Sequence, residues 1–236
     1  MRKLASGVGV AALLLLGTQM SGAANAQEPP LCGPPGQEVP ATIVGAGTIF
    51  GTSGDDVIVA SPGDDIVFAG LGNDIVCGEG GNDTIDGGQG NDVLIGDSLD
   101  SDPTAPSNGA NNDTLNGGQG DDTLAGLGGN DTLNGGQGAD QLIGFGGVDT
   151  INGGPGDDTA FGGPLNDVIS GGPDNDTLFG NFGSDTISGG PGDDFIDGDN
   201  PNPPPPGGPP FPPGGNNDTC SGGPGANIVQ NCEITS

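Results

Sequence analysis

Histidine, tryptophan and tyrosine are missing from this sequence altogether, and only 3% of its residues are aromatic. A globular core of ordinary size draws on large apolar side chains, so no such core can form here. Without histidine the usual triads are excluded, and with only four cysteines, better explained otherwise, zinc and copper are poor candidates. Positive charge is almost as scarce: Arg2 and Lys3 stand against 32 acidic residues, for a formal charge of −30. Nucleic acid is excluded as a partner because phosphate contacts need cations. An anionic membrane surface is disfavoured for the same reason. The partner such a chain calls for is itself a cation. What it does have is glycine, 53 residues, and proline, 22.

Both cations fall at the start of a three-part pattern. The basic start leads into the apolar run Val8 to Gly17, then into small residues ending Ala24-Asn25-Ala26 before Gln27. This is the layout of a secretory signal peptide. The apolar run is well short of the roughly 20 residues that span a bilayer. The expected organisation is a signal peptide over 1–26 and an N-terminal cap segment over 27–46. A repeat region follows over 47–230, then a C-terminal cap over 231–236. The protein is expected to be secreted, with no transmembrane segment.

High charge with few aromatics is ordinarily a signature of disorder. Strict periodicity argues against that here. From Gly87 the chain reads GGQGNDVLI, from Gly117 GGQGDDTLA and from Gly135 GGQGADQLI. The nine-residue frame holds from Gly51 to Ile95 and again from Gly117 to Asp197. Position six is Asp in every unit but the last, and position eight is nearly always aliphatic, as in Ile58, Val67, Val76, Ile85 and Leu94. Two interruptions, near 98–109 and 200–214, are expected to be insertions of 12 and 15 residues in the turns of single repeats. Closure cost grows only logarithmically with loop length, so a surface turn tolerates them. The second, with Pro203 to Pro206 and Pro209 to Pro213 around Phe211, is expected to be a stiff polyproline-like spacer.

This pattern, G-G-x-G-x-D-x-U-x with U aliphatic, resembles the RTX (repeats-in-toxin) family of calcium-binding nonapeptides. The resemblance implies an all-β fold, a parallel β-roll or β-solenoid of about 17 nonapeptide half-coils. Each nonapeptide would give a Gly/Asp turn and a three-residue strand, with two nonapeptides per coil. Multiple Ca²⁺ ions would sit between turns stacked on one edge. Position six would supply the carboxylates: Asp56, Asp74, Asp92, Asp122, Asp140, Asp158, Asp176 and Asp194 on the first edge. On the second edge they are Asp65, Asp83, Asp113, Asp131, Asp149, Asp167, Asp185 and Asp218. Leu165 and Asp174 in place of the position-four glycine, and Asn227 in place of the last aspartate, are departures that weaken their own turns as sites.

An 18-residue superperiod supports two edges independently. Turns at Gly87, Gly117, Gly135, Gly153, Gly171 and Gly189 begin GGQ or GGP. Those at Gly78, Gly126, Gly144 and Gly180 read GEGG, GLGG, GFGG and GNFG, and the two types alternate. Asp is also a good turn former without metal. That explains position five, which accepts Asp, Asn, Ala139 and Val148. It does not explain position six, where a charge is required although Asn would serve a turn equally well.

Four cysteines, Cys32, Cys77, Cys220 and Cys232, suit two disulfides in an exported chain. Three pairings can be drawn. The need to cap solenoid ends favours Cys32–Cys77 and Cys220–Cys232. The expected function is a secreted calcium-binding β-roll, not an enzyme, whose folding is coupled to the metal. The alternative is a surface adhesion or assembly module using the exposed sheet faces. An apolar stripe of Ile143, Phe161 and Phe179 at position nine would then serve self-association or a surface partner. The Thr and Asn array of the opposite strands (Thr114/Asn116, Thr132/Asn134, Thr150/Asn152) loosely resembles ice-binding solenoids. Ordinary β-propensity accounts for it as well.

Overall fold

The structure is a computed structural model, and it describes residues 31–33, 37–97, 111–199 and 218–234. The expected signal peptide, both turn insertions and the end of the C-terminal cap lie outside these residues. Within them the chain is all-β and winds as a parallel solenoid of about eight turns.

Two ten-stranded parallel sheets form its walls. Sheet one runs from Ile43–Val44 through Val57–Val59, Ile75–Glu79 and Val93–Asp97 to Ile228–Gln230. Sheet two runs from Thr48–Phe50 through Ile66–Leu71 and Thr84–Gln89 to Glu233–Ile234. Strands alternate between the sheets along the chain, so every coil contributes one strand to each. First-edge turns lead into sheet one and second-edge turns into sheet two.

The register is set by position eight. Leu124 lies between Leu94 and Leu142 in sheet one, and Leu115 between Ile85 and Leu133 in sheet two. These side chains point inward and are fully buried along the whole length, from Ile58 to Cys220. One aliphatic side chain per nine residues makes a thin core, and stability must come from stacking coil on coil. Equivalent residues are 18 apart within uninterrupted coils, and 30 and 33 apart across the insertions. The described residues on either side of each insertion therefore keep the same stacking register.

Glycine supplies the backbone of the turns. Positions two and four carry positive φ in most of them, as at Gly88 (104°) and Gly90 (126°). A Cβ on Gly90 would collide with the Gly72 carbonyl one coil earlier, so coils can approach this closely only without side chains. Six residues accept positive φ in the glycine positions of their turns: Glu79, Leu127, Phe145, Leu165, Asp174 and Asn181.

Both ends are tied. Cys32 is bonded to Cys77 and Cys220 to Cys232, the pairing favoured above. The antiparallel pair Leu31–Cys32 and Val39–Pro40 brings Cys32 onto the outer face of sheet one. There Cys32, Val59, Cys77 and Ile95 form a second small apolar cluster. Further along that face Ile143, Phe161 and Phe179 lie in register at outward position nine. They are half-buried, with the rings of Phe161 and Phe179 stacked 4.8 Å apart. The more exposed aromatic pair is Phe50 and Phe68, stacked at 5.5 Å at the start of sheet two.

Candidate metal centre

Each turn places its position-six aspartate on the inner side, just before the strand. All sixteen are buried, Asp56 being the most accessible at 7%. One carboxylate oxygen always has a structural task along the ladder. The backbone N–H of Asp140 donates to Oδ1 of Asp158 at 2.8 Å, and that of Asp158 to Oδ1 of Asp176 at 2.9 Å. The same bond links Asp83 to Asp113 and Asp185 to Asp218 across the insertions. Each edge thus carries a continuous ladder of carboxylates, every one bonded by the coil before it.

The second oxygen has no such partner. In fourteen of the sixteen, from Asp74 to Asp218, Oδ2 is buried with no hydrogen-bond donor. In every such turn but that of Asp74, whose position one is Ala69, it opens toward the position-one glycine of its own turn, and at most of them a carbonyl of the next coil also arrives. A Cβ on Gly135 would collide with Asp140 Oδ2 and lie 2.7 Å from the Gly153 carbonyl oxygen. The cradle exists because position one has no side chain. Two acceptors meeting in a buried space with no donor call for a cation or a proton.

Asn227 shows what the same place looks like without a charge. Its Oδ1 accepts the Asp194 N–H at 2.8 Å, as an aspartate would. Its Nδ2 donates to the Gly223 carbonyl at 3.0 Å. An amide therefore finds an acceptor for its second polar atom in its own turn, the Gly223 carbonyl, whereas the second oxygen of a carboxylate has no donor there.

Electrostatics agree. Burial pushes the carboxyls of Asp83, Asp122, Asp131, Asp158 and Asp185 up to about 7, partly offset by the N–H each accepts. Asp113 and Asp167 are raised by burial to about 8, with neighbouring carboxylates adding to it. No Lys, Arg or His exists among the described residues to compensate them. Nor do three His, Cys, Asp or Glu side chains converge there into a compact cage. The donor set is instead carboxylate plus backbone carbonyl, all oxygen. That is the chemistry of Ca²⁺, which takes six to eight oxygens in flexible geometry.

Several features were not anticipated from sequence. Asp56 and Asp65 stand on the ladders but have both oxygens engaged. Thr52 N–H donates to Asp56 Oδ2 at 2.7 Å, and Ser61 donates to Asp65 Oδ2 through both N–H and Oγ at 2.8 Å. The departures at Leu165 and Asp174 leave the ladder unchanged: Asp167 and Asp176 keep a buried, partnerless Oδ2. Two further buried carboxylates, Asp97 and Asp197, lie off the ladders and are met by the side-chain amides of Asn111, Gln230 and Asn231.

A two-sheet parallel roll lined by paired ladders of half-satisfied carboxylates defines a β-solenoid suited to binding hard cations along its edges. Residues 44–76, 78–100, 107–142, 143–178 and 170–200 match the model of the RTX calcium-binding nonapeptide repeat. These segments cover more than half of the chain, and the chain belongs to that family. No curated protein matches it.

Proposed function

We propose that this is an exported calcium-dependent β-roll, in which the partnerless Oδ2 atoms of Asp74 to Asp194, with Asp218, and the carbonyls of the glycine turns hold Ca²⁺. The observation that carries this is the contrast at position six: fourteen carboxylate oxygens lack a donor, and the one amide in the series makes its bond. Calcium, when bound, supplies the positive charge that these opposed oxygens lack. The chain's own residues do the rest. Oδ1 of each aspartate ties its coil to the one before, and position-one glycine keeps the space open. Position eight closes the core behind the site.

Folding coupled to metal follows from the same geometry. With the metal removed, stacked buried carboxylates repel across every coil, and a core of one aliphatic per nine residues offers little to oppose them. Extracellular calcium modules bind at about 10⁻⁴–10⁻³ M, so such a roll would be unfolded in the cytosol and fold once outside. The signal-peptide pattern and the two disulfides support export. Catalysis has no part in this reading, since the sequence has no histidine and no pair of groups poised as acid and base.

The test is circular dichroism during calcium titration, with magnesium as control. A β-spectrum should develop at millimolar Ca²⁺ and not with Mg²⁺, which demands stricter octahedral geometry. A complete β-spectrum in excess chelator at neutral pH would overturn the coupling. A second reading, contact through the outer face of sheet one, draws on the stacked Phe161 and Phe179. Sedimentation of the calcium-loaded chain against Phe161→Ser/Phe179→Ser checks its self-association form; monomers in both samples remove it.

A further inference from the structure

The first turn of each edge is built differently from those that follow. In the uninterrupted later turns, position two has positive φ, as at Gly88 and Gly118, and Oδ2 of the turn's aspartate is left without a donor. In the two opening turns position two is Thr52 or Ser61, neither with positive φ. Their N–H groups turn inward instead, and each lands on the Oδ2 of its own turn's aspartate. Oδ1 of Asp65 is served too, by Gly47 N–H, while Thr42 Oγ1 stands 3.5 Å from Asp56 Oδ1 and 3.2 Å from the Val57 carbonyl, sharing one proton between them. A carboxylate already holding a donor on each oxygen has had its burial offset without a metal.

Apolar burial is added at this end. Position one, glycine through most of the roll, is Ala60 in the second opening turn and Ala69 in the Asp74 turn that follows, and both are buried in the core. On the outer face, Val59 and Cys77 are covered by Cys32 and fixed by its disulfide. Apolar burial and a covalent link replace the electrostatic need found elsewhere.

We propose that the calcium ladders begin only at Asp74 and Asp83, and that the opening coil, through Asp56 and Asp65, is a metal-independent seed on which calcium-loaded coils stack in order. This rests on the reading of the partnerless Oδ2 atoms as calcium ligands. In a linear array where each unit touches only its neighbours, the first unit carries the nucleation cost. A coil folded in advance removes that cost and sets a direction, from the disulfide-linked end outward.

Two measurements on the full chain with intact disulfides test this. Hydrogen exchange in excess chelator should leave amides of residues 48–77 protected at least about tenfold beyond those of residues 114–188. Equal exchange in the two segments overturns the seed, and this readout needs no variant. Native mass spectrometry of the calcium-loaded chain then counts ions. Asp56→Asn/Asp65→Asn should retain the wild-type number, while Asp131→Asn/Asp140→Asn should lose ions. Equal losses in both pairs overturn this inference alone. A wild-type chain that takes up no calcium overturns the proposed function, and this inference with it.

Discussion

Adjacent residues of each turn, positions five and six, build two ladders that run in opposite senses. At position six the earlier coil donates and the later carboxylate accepts, as from Asp140 N–H to Asp158 Oδ1. At position five the later coil donates and the earlier side chain accepts, as from Asn175 N–H to Asp157 Oδ1 at 2.9 Å. The outer ladder is exposed and uses a single oxygen, so Asn73, Asn82 and Asn91 serve in it as well as Asp64 or Asp121. The inner ladder is buried, and its second oxygen faces another acceptor. The two ladders thus differ in electrostatics. The exposed Asp64 carboxyl is lowered by the Asn82 N–H it accepts, whereas the buried carboxyl of Asp83, one coil on along the inner ladder, is raised by burial. An acceptor ladder alone is satisfied by an amide; the second oxygen matters only on the inner ladder, where Asp56 and Asp65 turn it to donors of their own turns and the later aspartates leave it without one.

Acid is the strongest way to break this contrast. Carboxyls raised in the fold above their ordinary value favour the folded state while protonated. In calcium-free solution the roll should therefore be most stable below about pH 4 and lose that stability as pH rises through about 6 to 8. With calcium the dependence reverses, because protons compete for the same oxygens. Circular dichroism against pH, with and without calcium, checks both signs. A metal-free chain that gains no β-structure between pH 8 and pH 4 would show that the inner ladder does not control folding.

Single substitutions come next. Asp158→Ala leaves the Asp140 N–H without its acceptor and removes a proposed ligand. A lost buried hydrogen-bond partner costs about 1–3 kcal/mol, so the calcium midpoint should rise about tenfold. Asp140→Ala should do the same, and the double variant should cost less than the sum, as for residues serving one site. Strict additivity in the calcium titrations would separate the two residues. The smallest effect belongs to the outer ladder. Asp157→Ala removes only the two exposed bonds donated by Asn175, from its N–H and its Nδ2, and should shift the midpoint by less than about threefold, near 0.5 kcal/mol. The chain already makes this change: Ala139 and Val148 occupy position five and offer no side-chain acceptor to the next coil. An effect of Asp157→Ala equal to that of Asp158→Ala would invert the assignment of the two ladders.

Much of this was legible in the sequence because the solenoid repeats its physics every nine residues. Position eight had to face inward, since nothing else in the repeat is reliably apolar. The insertions could be counted as single turns because only then does the alternation of GGQ with GLGG survive. The cysteine pairing followed from where a solenoid needs closing. What stayed hidden depends on peptide orientation. That Thr52 and Ser61 aim their N–H groups at their own aspartates is decided by the sign of φ at one residue. The composition signal was present all the same, as a missing glycine at position two. The exposed Phe50 and Phe68 were readable as position-nine residues of the second-edge strands, but lay outside the stripe that drew attention. The small cluster under Cys32 depends on a segment outside the repeat frame, where periodicity has nothing to say.

Among the described residues, the hydrogen bonds between repeats run along the roll's long axis and join each coil to those on either side of it. Such a rod responds to tension like a zipper rather than a cable. Pulled from its ends, it should lengthen in steps of about 60 Å as coils of 18 residues come free one after another, and in longer steps of about 100–120 Å where equivalent residues are 30 and 33 apart, each residue extending about 3.3–3.6 Å. The force of each step would report one pair of turns, and lowering calcium should weaken the steps without changing their length. The segments inside the Cys32–Cys77 and Cys220–Cys232 links would refuse to extend, so both ends of the spring stay wound, the first over a separation of 45 residues and the last over 12.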